Sequence, residues 1–264
     1  MGYVTTAFDA GLLTIRIDRP EGHNSLSRDL RLELIQVFRD AAAACDAADD
    51  AARVRAVLLA GGKKVFCAGQ DLKEHLEDVK SGTGMTKVED EYNPMIDALN
   101  AIPVPVVASI NGAAAGAGWS IALNCDFRVA ATTATFKAAF PSIGLANDCG
   151  MSALLPSIVG PAKALELLFT DKAIPADEAL ALGLVTAVAG GEDADAEAEA
   201  FARKLASGPT RSFREIKALV KDASIVSEVA AREAEAQKRL VTSADHAEAV
   251  QAFLAKRRPE FTGR

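Results

Sequence analysis

Two segments of this chain present backbone where a ligand could sit. The first is Phe66-Cys67-Ala68-Gly69-Gln70-Asp71-Leu72. The second is Asn111-Gly112-Ala113-Ala114-Ala115-Gly116-Ala117-Gly118, entered from the apolar run 102–110, Ile-Pro-Val-Pro-Val-Val-Ala-Ser-Ile. With almost no side chains to shield it, the main chain of the second segment leaves N–H groups open to an oxygen. Two such groups aimed at one carbonyl form an oxyanion hole, which stabilises the negative charge that develops there. The pair therefore points to chemistry on an activated carbonyl. Each segment also has an architectural reading: Gly69 can break a strand ahead of a helix capped by Asp71, and Gly112 to Gly118 can serve close packing of helix on sheet.

Other ligand motifs fail on their spacing. A dinucleotide fingerprint starting at Gly116 meets Ile121 where its third glycine belongs, and a P-loop ending at Gly62-Lys63 has Val57 and Lys64 at positions that need Gly and Ser/Thr. Gly118-Trp119-Ser120-Ile121-Ala122 is one residue short of a serine-hydrolase elbow. Its base would have to follow Ser120 in the chain, and His246 alone does so. Beside Asp245 and Glu248 in a charged tail, His246 is expected to be a solvated surface histidine; His23 and His75 are expected in loops or at the surface.

The 264 residues are 50% hydrophobic and 25% charged, enough to bury the core of one large or two smaller domains. A net charge of -7 and a pI near 5.1 argue against general affinity for nucleic acid or anionic membranes. Cys45, Cys67, Cys125 and Cys149 lack metal-ligand spacing and are expected to be reduced, buried thiols, so no metal site is expected. The N-terminus has no basic, then apolar, leader pattern. The expected location is the cytoplasm.

Hydrophobic periodicity supplies the elements that must position these segments. Residues 11–18 alternate as a half-buried strand that stops at Arg19-Pro20. Ser27 caps a helix with Leu30, Leu34, Val37 and Phe38 on one stripe, extended by alanines as far as Asp50. Strands are expected at 54–60, 104–110, 126–130, 135–139 and 185–188, and helices at 88–100, 117–124, 152–159 and 161–169. Beyond Gly190-Gly191 the composition shifts to Ala, Glu, Asp, Lys and Arg, which predicts three or four helices between 194 and 257. The acidic run 192–199 reads as a solvated helix start. Narrow apolar stripes (Val220, Ile225, Val229; Leu240, Val250, Phe253, Leu254) must complete their burial against the core or another subunit, so a homo-oligomer is expected. The class is α/β, with several short strands per helix.

Asn24-Ser25-Leu26 after Arg19-Pro20, the Phe-Cys-Ala-Gly-Gln-Asp-Leu segment and Ile-Asn-Gly-Ala-Ala-Ala-Gly-Ala-Gly together resemble the enoyl-CoA hydratase/isomerase (crotonase) family. The resemblance continues through Cys125-Asp126, Phe136, Ile143-Gly144-Leu145, Leu155-Pro156, Val159-Gly160, Ala179 to Val185, and Ala252 to Pro259, nearly the whole chain. It implies a crotonase (ClpP-like) spiral of repeated ββα units over residues 1–193, followed by a C-terminal helical trimerisation region over 194–264. It implies a homotrimer or a dimer of trimers acting on an acyl-CoA thioester, with no further cofactor. The oxyanion donors would be the N–H groups of Gln70 and Ala117. The adenine would lie against the backbone of Ala68, Gly69, Gln70, Asp71 and Leu72, and the stretch 73–92 would help wall the acyl pocket. Arg28, Lys73, Lys256 and Arg257 could meet CoA phosphates, with solvated surface charge as the alternative for each.

Acid/base equipment separates members of this family. The hydratases carry glutamates where this chain has Ser120 and Phe140, and neither residue can deprotonate water or deliver a proton to carbon. Asp148, in Asn147-Asp148-Cys149-Gly150, stands where 1,2-epoxyphenylacetyl-CoA isomerases and some 3-enoyl to 2-enoyl-CoA isomerases carry a catalytic aspartate. Read without the resemblance, the same residue is a helix N-cap. Phe140, Leu145, Ala146 and Trp119 would give it an apolar setting that raises its pKa. A 4-chlorobenzoyl-CoA dehalogenase would need Trp at Phe140 and His at Asn93. The resulting expectation is an isomerase in which Asp148 is the acid/base; a hydratase is the runner-up, and a CoA thioester hydrolase or a non-catalytic CoA-binding protein follow.

Overall fold

A computed structural model describes residues 2–81 and 85–264. Residues 82–84, within the stretch expected to wall the acyl pocket, lie outside the described residues. The strands are β1 (Val4–Asp9), β2 (Leu12–Ile17), β3 (Ala56–Ala60), β4 (Val65–Cys67), β5 (Val106–Ile110), β6 (Ala113–Ala115), β7 (Phe127–Ala130), β8 (Thr135–Lys137), β9 (Ile174–Pro175) and β10 (Ala187–Val188). The helices are α1 (Arg28–Ala44), α2 (Leu72–Ser81), α3 (Asn93–Asn100), α4 (Ala117–Asn124), α5 (Met151–Val159), α6 (Pro161–Thr170), α7 (Ala176–Ala181), α8 (Asp195–Ala206), α9 (Thr210–Val220), α10 (Ala223–Leu240) and α11 (Ala244–Leu254).

The strands form two sheets, ordered β1-β2-β3-β5-β7-β10 and β4-β6-β8-β9. β2, β3, β5, β7 and β10 run parallel, as do β4, β6 and β8. Successive strand pairs therefore place one strand in each sheet before the chain turns into a helix: β3 and β4 precede α2, and β5 and β6 precede α4. This is the spiral of ββα units implied by the resemblance, the crotonase fold.

Alternation in β2 and β3 shows why the large sheet is buried on both faces. Ile15, Ile17, Val57 and Leu59 face the main core, which also holds Leu30, Leu34 and Phe38 of α1; Leu12, Ala56 and Leu58 face the other way. On that second face lie Ala194, Ala198, Ala202 and Ala206, all buried. Their i, i+4 spacing puts them on one side of α8, and their size lets the helix lie close to the strands. α8 is thus a layer of the core, and its alanine content follows from that.

Several expectations need correction. α1 stops at Ala44, where the Cys45 N–H turns back to Ala42 and Ala43, and does not continue to Asp50. The expected helix 88–100 is a π-turn over Val88–Tyr92 followed by α3. β1, β6, β9 and α7 were not anticipated; β6 is three alanines with no β-branched residue to signal a strand. All four cysteines are buried and free. Among the described residues no helix is long and apolar enough to cross a membrane.

Candidate active site

The two backbone segments meet because β4 and β6 are paired. They run parallel, with Cys67 opposite Ala114. Advancing both strands equally from that pair brings Gln70 beside Ala117. The close approach is visible at Gly69: a Cβ there would lie 2.7 Å from Ala115 O and 3.4 Å from Ala117 N, and its φ of +84° favours glycine independently. Gly118 has the same task from the other side, since a Cβ there would fall 2.3 Å from Cys67 O. The glycines of both segments thus serve close backbone packing, the architectural reading. Ala117 opens α4, so its N–H is one of the unpaired donors at a helix N-terminus, where the dipole favours negative charge. Among the described residues neither the Gln70 N–H nor the Ala117 N–H has a protein acceptor.

Asp148 is held beside the same helix. Ser120, one turn along α4 from Ala117, donates its hydroxyl to Asp148 O at 3.2 Å, and Asn124, a further turn on, donates Nδ2 to Cys149 O at 2.9 Å. Residues three or four apart share a helix face, so the loop carrying Asp148 is fastened to the side of α4 whose N-terminus offers the Ala117 donor. Asp148 is 3% exposed and its Oδ1 has no hydrogen-bond partner. Burial, and then the charge of Glu233, push its pKa up to about 7, against the opposing hydrogen bond of the Cys149 thiol. Of the residues expected to give it an apolar setting, Phe140, Leu145 and Trp119 are buried and Ala146 is half-buried.

Sequence reasoning missed Tyr92 and Arg31, and did not foresee that Trp119 Nε1 would lack a partner. Tyr92, at the end of the π-turn, is fully buried with an unpartnered hydroxyl; burial pushes its pKa up, and the charge of Asp148 adds to the effect. Trp119 Nε1 is likewise buried without a partner, its ring tilted against Phe136 at 6.2 Å. Arg31 is buried on α1, with its guanidinium 4.8 Å over the Tyr92 ring and bonded to Glu91, Glu74 and Leu26 O. A charged residue on the apolar stripe of a helix was the one available signal for it.

The remaining candidates separate into occupied and open groups. Asp71 caps α2 through Lys73 N (3.0 Å) and Glu74 N (3.3 Å) and pairs with Arg19 at 2.8 Å. Its burial opposes ionisation, but the Glu74 N–H and the Arg19 guanidinium hold its carboxyl below the ordinary range. Ala68 and Gly69 are tied by backbone to His23 O and Leu26 N, and Leu72 begins α2. Lys73 and Lys256 are exposed, Arg28 is exposed with its Nε 3.1 Å from Glu91, and Arg257 is engaged by Glu248. The acidic start of α8 is not simply solvated: Asp195 pairs with Arg16 at 2.8 Å and accepts from Ser109 and Asn111, which pins the first residue of the Gly/Ala segment.

His75 and His246 correct the sequence reading most plainly. Both are 1% exposed, with their Nε2 atoms 3.0 Å apart. His246 Nδ1 donates to Ile143 O at 2.7 Å, so its Nε2 accepts from His75, whose Nδ1 faces Lys87 Nζ at 3.2 Å. A residue flanked by acids in sequence is buried because α11 turns that face onto the loop ahead of Asp148. The serine-hydrolase arrangement is not assembled: Ser120 is bonded to Asp148 O and His246 to His75.

The family model described as enoyl-CoA hydratase/isomerase matches residues 7–264. The chain belongs to the enoyl-CoA hydratase/isomerase family. It is 38% identical to a probable enoyl-CoA hydratase of Rhodobacter capsulatus and 35% identical to 1,2-epoxyphenylacetyl-CoA isomerase of Escherichia coli, each match covering 100% of both chains. Among solved structures, a putative enoyl-CoA hydratase/isomerase from Mycobacterium abscessus superposes with a TM-score of 0.76 at 42% identity, covering 99% of this chain and 100% of the other. An acyl-CoA substrate fits this family. The protein is an enzyme of this family.

Proposed function

We propose that this enzyme isomerises an unsaturated acyl-CoA, moving the double bond between the 3-enoyl and 2-enoyl positions or within a ring-type enoyl or epoxy acyl group. The observation that carries this reading is Asp148: a buried carboxyl with an unpaired oxygen, fastened to the helix whose first N–H is an oxyanion donor. The thioester oxygen sits between the Gln70 and Ala117 N–H groups, which stabilise the enolate formed when a neighbouring C–H proton leaves; one such donor typically contributes about 3 kcal/mol. Asp148 takes that proton and returns it two carbons along the dienolate. A pKa near 7 suits both transfers, because ionised and protonated forms are both accessible at neutral pH. No water enters the reaction and no cofactor beyond the thioester is called for.

Hydration is the competing reading, favoured by the name of the Rhodobacter capsulatus relative. Against it stand Ser120, whose hydroxyl is engaged by Asp148 O, and Phe140, which has no acid/base group. The test is the rate of double-bond migration and of hydration, on 3-enoyl-CoA and 2-enoyl-CoA, for the parent and Asp148→Asn. Undiminished isomerisation by the variant would sink the role of Asp148, and rapid hydration by the parent would sink the isomerase reading. In this account the exposed Arg28 and Lys73 are candidates to meet the CoA phosphates. Exposed apolar residues on α9 and α10 (Ile216, Leu219, Val220, Ile225) support a homotrimer or a dimer of trimers, which sedimentation velocity would test.

A further inference from the structure

Asp148 stands just ahead of α5, where an aspartate ordinarily caps the helix with its side chain. It does not do so here. The N-terminal N–H groups of α5 are taken by other acceptors: Gly150 N donates to Glu233 Oε2 and Ser152 N to Glu233 Oε1, each at 2.7 Å, while Met151 N donates to the Asp148 main-chain oxygen at 3.2 Å. Glu233 comes from α10, eighty-one or more residues away in sequence, and is 4% exposed. A buried carboxylate is costly unless charge or hydrogen bonds compensate it; this one is held by two N–H groups at the positive end of a helix rather than by a cation.

We propose that Glu233 is a positioning residue for the reaction: by occupying the N-terminus of α5 it excludes the Asp148 side chain from the cap and leaves Oδ1 of that carboxyl unpaired and free to carry the proton. The inference rests on the isomerase reading for its catalytic meaning, but its structural content stands on the apo protein. If Glu233 were absent, the N–H groups of Gly150 and Ser152, two and four residues along the chain from Asp148, would be left for its side chain to cap. Asp148 would become an ordinary capping carboxylate, well bonded and weakly basic. The titratable groups that act on Asp148 are Glu233 from α10, Cys149 from its own loop and Tyr92 from the π-turn; of these, Glu233 contributes the largest charge effect.

The test is an infrared titration of the apo protein carrying ¹³C-carboxyl aspartate, with Asp148→Asn as the spectral blank, comparing the parent with Glu233→Gln. The glutamine removes the charge and one acceptor oxygen. The Asp148 midpoint is expected to fall by about one pH unit or more, and the acid limb of kcat/KM is expected to move with it while KM changes little. A folded Glu233→Gln protein with an unmoved midpoint overturns the proposal. Should that variant not fold, Glu233→Asp substitutes for it. Its shorter arm gives up at least one N–H, so amide exchange at Gly150 or Ser152 quickens and the midpoint falls; released N–H groups with an unchanged midpoint overturn the proposal equally. A parent enzyme that titrates as described yet fails to isomerise would refute the reaction, not the role of Glu233 in displacing Asp148.

Discussion

Replacing Asp148 with Asn should make the protein a poorer enzyme and, at neutral and alkaline pH, a more stable one. The carboxyl titrates near 7 in the folded protein against 3.8 for the free side chain. At about 1.4 kcal/mol per pH unit, forcing the buried group to ionise costs the fold up to about 4 kcal/mol. The sign follows from the raised pKa: the folded state holds the proton more tightly, so this contribution is fully present below the unfolded value and is lost as pH rises through the folded one. Asparagine escapes the penalty but leaves an unpaired amide, worth about 1–3 kcal/mol against it at every pH. The stability difference between variant and parent should therefore change by about 4 kcal/mol in favour of the variant from about pH 4 to about pH 8, whatever its starting offset. Urea denaturation across that range, at fixed protein concentration, measures it. Turnover should fall by about 100- to 10,000-fold in the same variant. Stability curves that run parallel with pH would refute the claim that burial has made Asp148 a near-neutral base.

Other perturbations bear on the surrounding scaffold. Gly118→Ala sets a methyl against Cys67 O, and the resulting displacement of β4 should lower kcat by on the order of 100-fold with a smaller effect on KM; steady-state kinetics would show a kcat near the parent value if the donor pair tolerated the shift. Arg31→Met strips Glu91 and Glu74 of their buried cation and should cost about 3–5 kcal/mol in denaturant melts. Burial, with the Lys87 ammonium and His246 adding to it, drives the His75 pKa down to about 3, and burial lowers that of His246 as well. The unfolded chain therefore binds protons that the folded one refuses, and the histidine pair contributes a loss of on the order of 2 kcal/mol between about pH 7 and pH 5, set against the gain from Asp148 over the same range and so read as the difference between parent and variant. Thermal melts of His75→Gln should lose much of that acid sensitivity.

How far the sequence disclosed this molecule depended on whether a residue acts through neighbours close in the chain. Ser27 and Asp71 as caps, the alternation of β2, and the glycines that let β4 and β6 approach are local signals with local causes, and they are found where expected. Asp148 was singled out by the pattern around it and a raised pKa was expected from burial, but the share of that rise due to Glu233 was not. Glu233, Tyr92 and Arg31 were not, because their partners lie on other elements: Glu233 meets α5 only after α10 folds back, and Arg31 meets Glu91 and Glu74 only once α1, α2 and the π-turn converge. His246 was misjudged for the same reason, since the acids beside it in sequence face away while its ring meets His75 and Ile143.

The central claim is that one buried carboxylate carries a proton from the carbon beside the thioester to a carbon further along the acyl chain. The most direct measurement is the fate of deuterium in 3-enoyl-CoA labelled beside the thioester, followed by NMR of the product. A carboxyl as enclosed as Asp148 exchanges slowly with solvent, so the account predicts 2-enoyl-CoA with a substantial part of the label transferred two carbons along, and no hydroxyacyl product at comparable rate. Label lost wholly to water, or 3-hydroxyacyl-CoA formed as fast as the isomer, would contradict it.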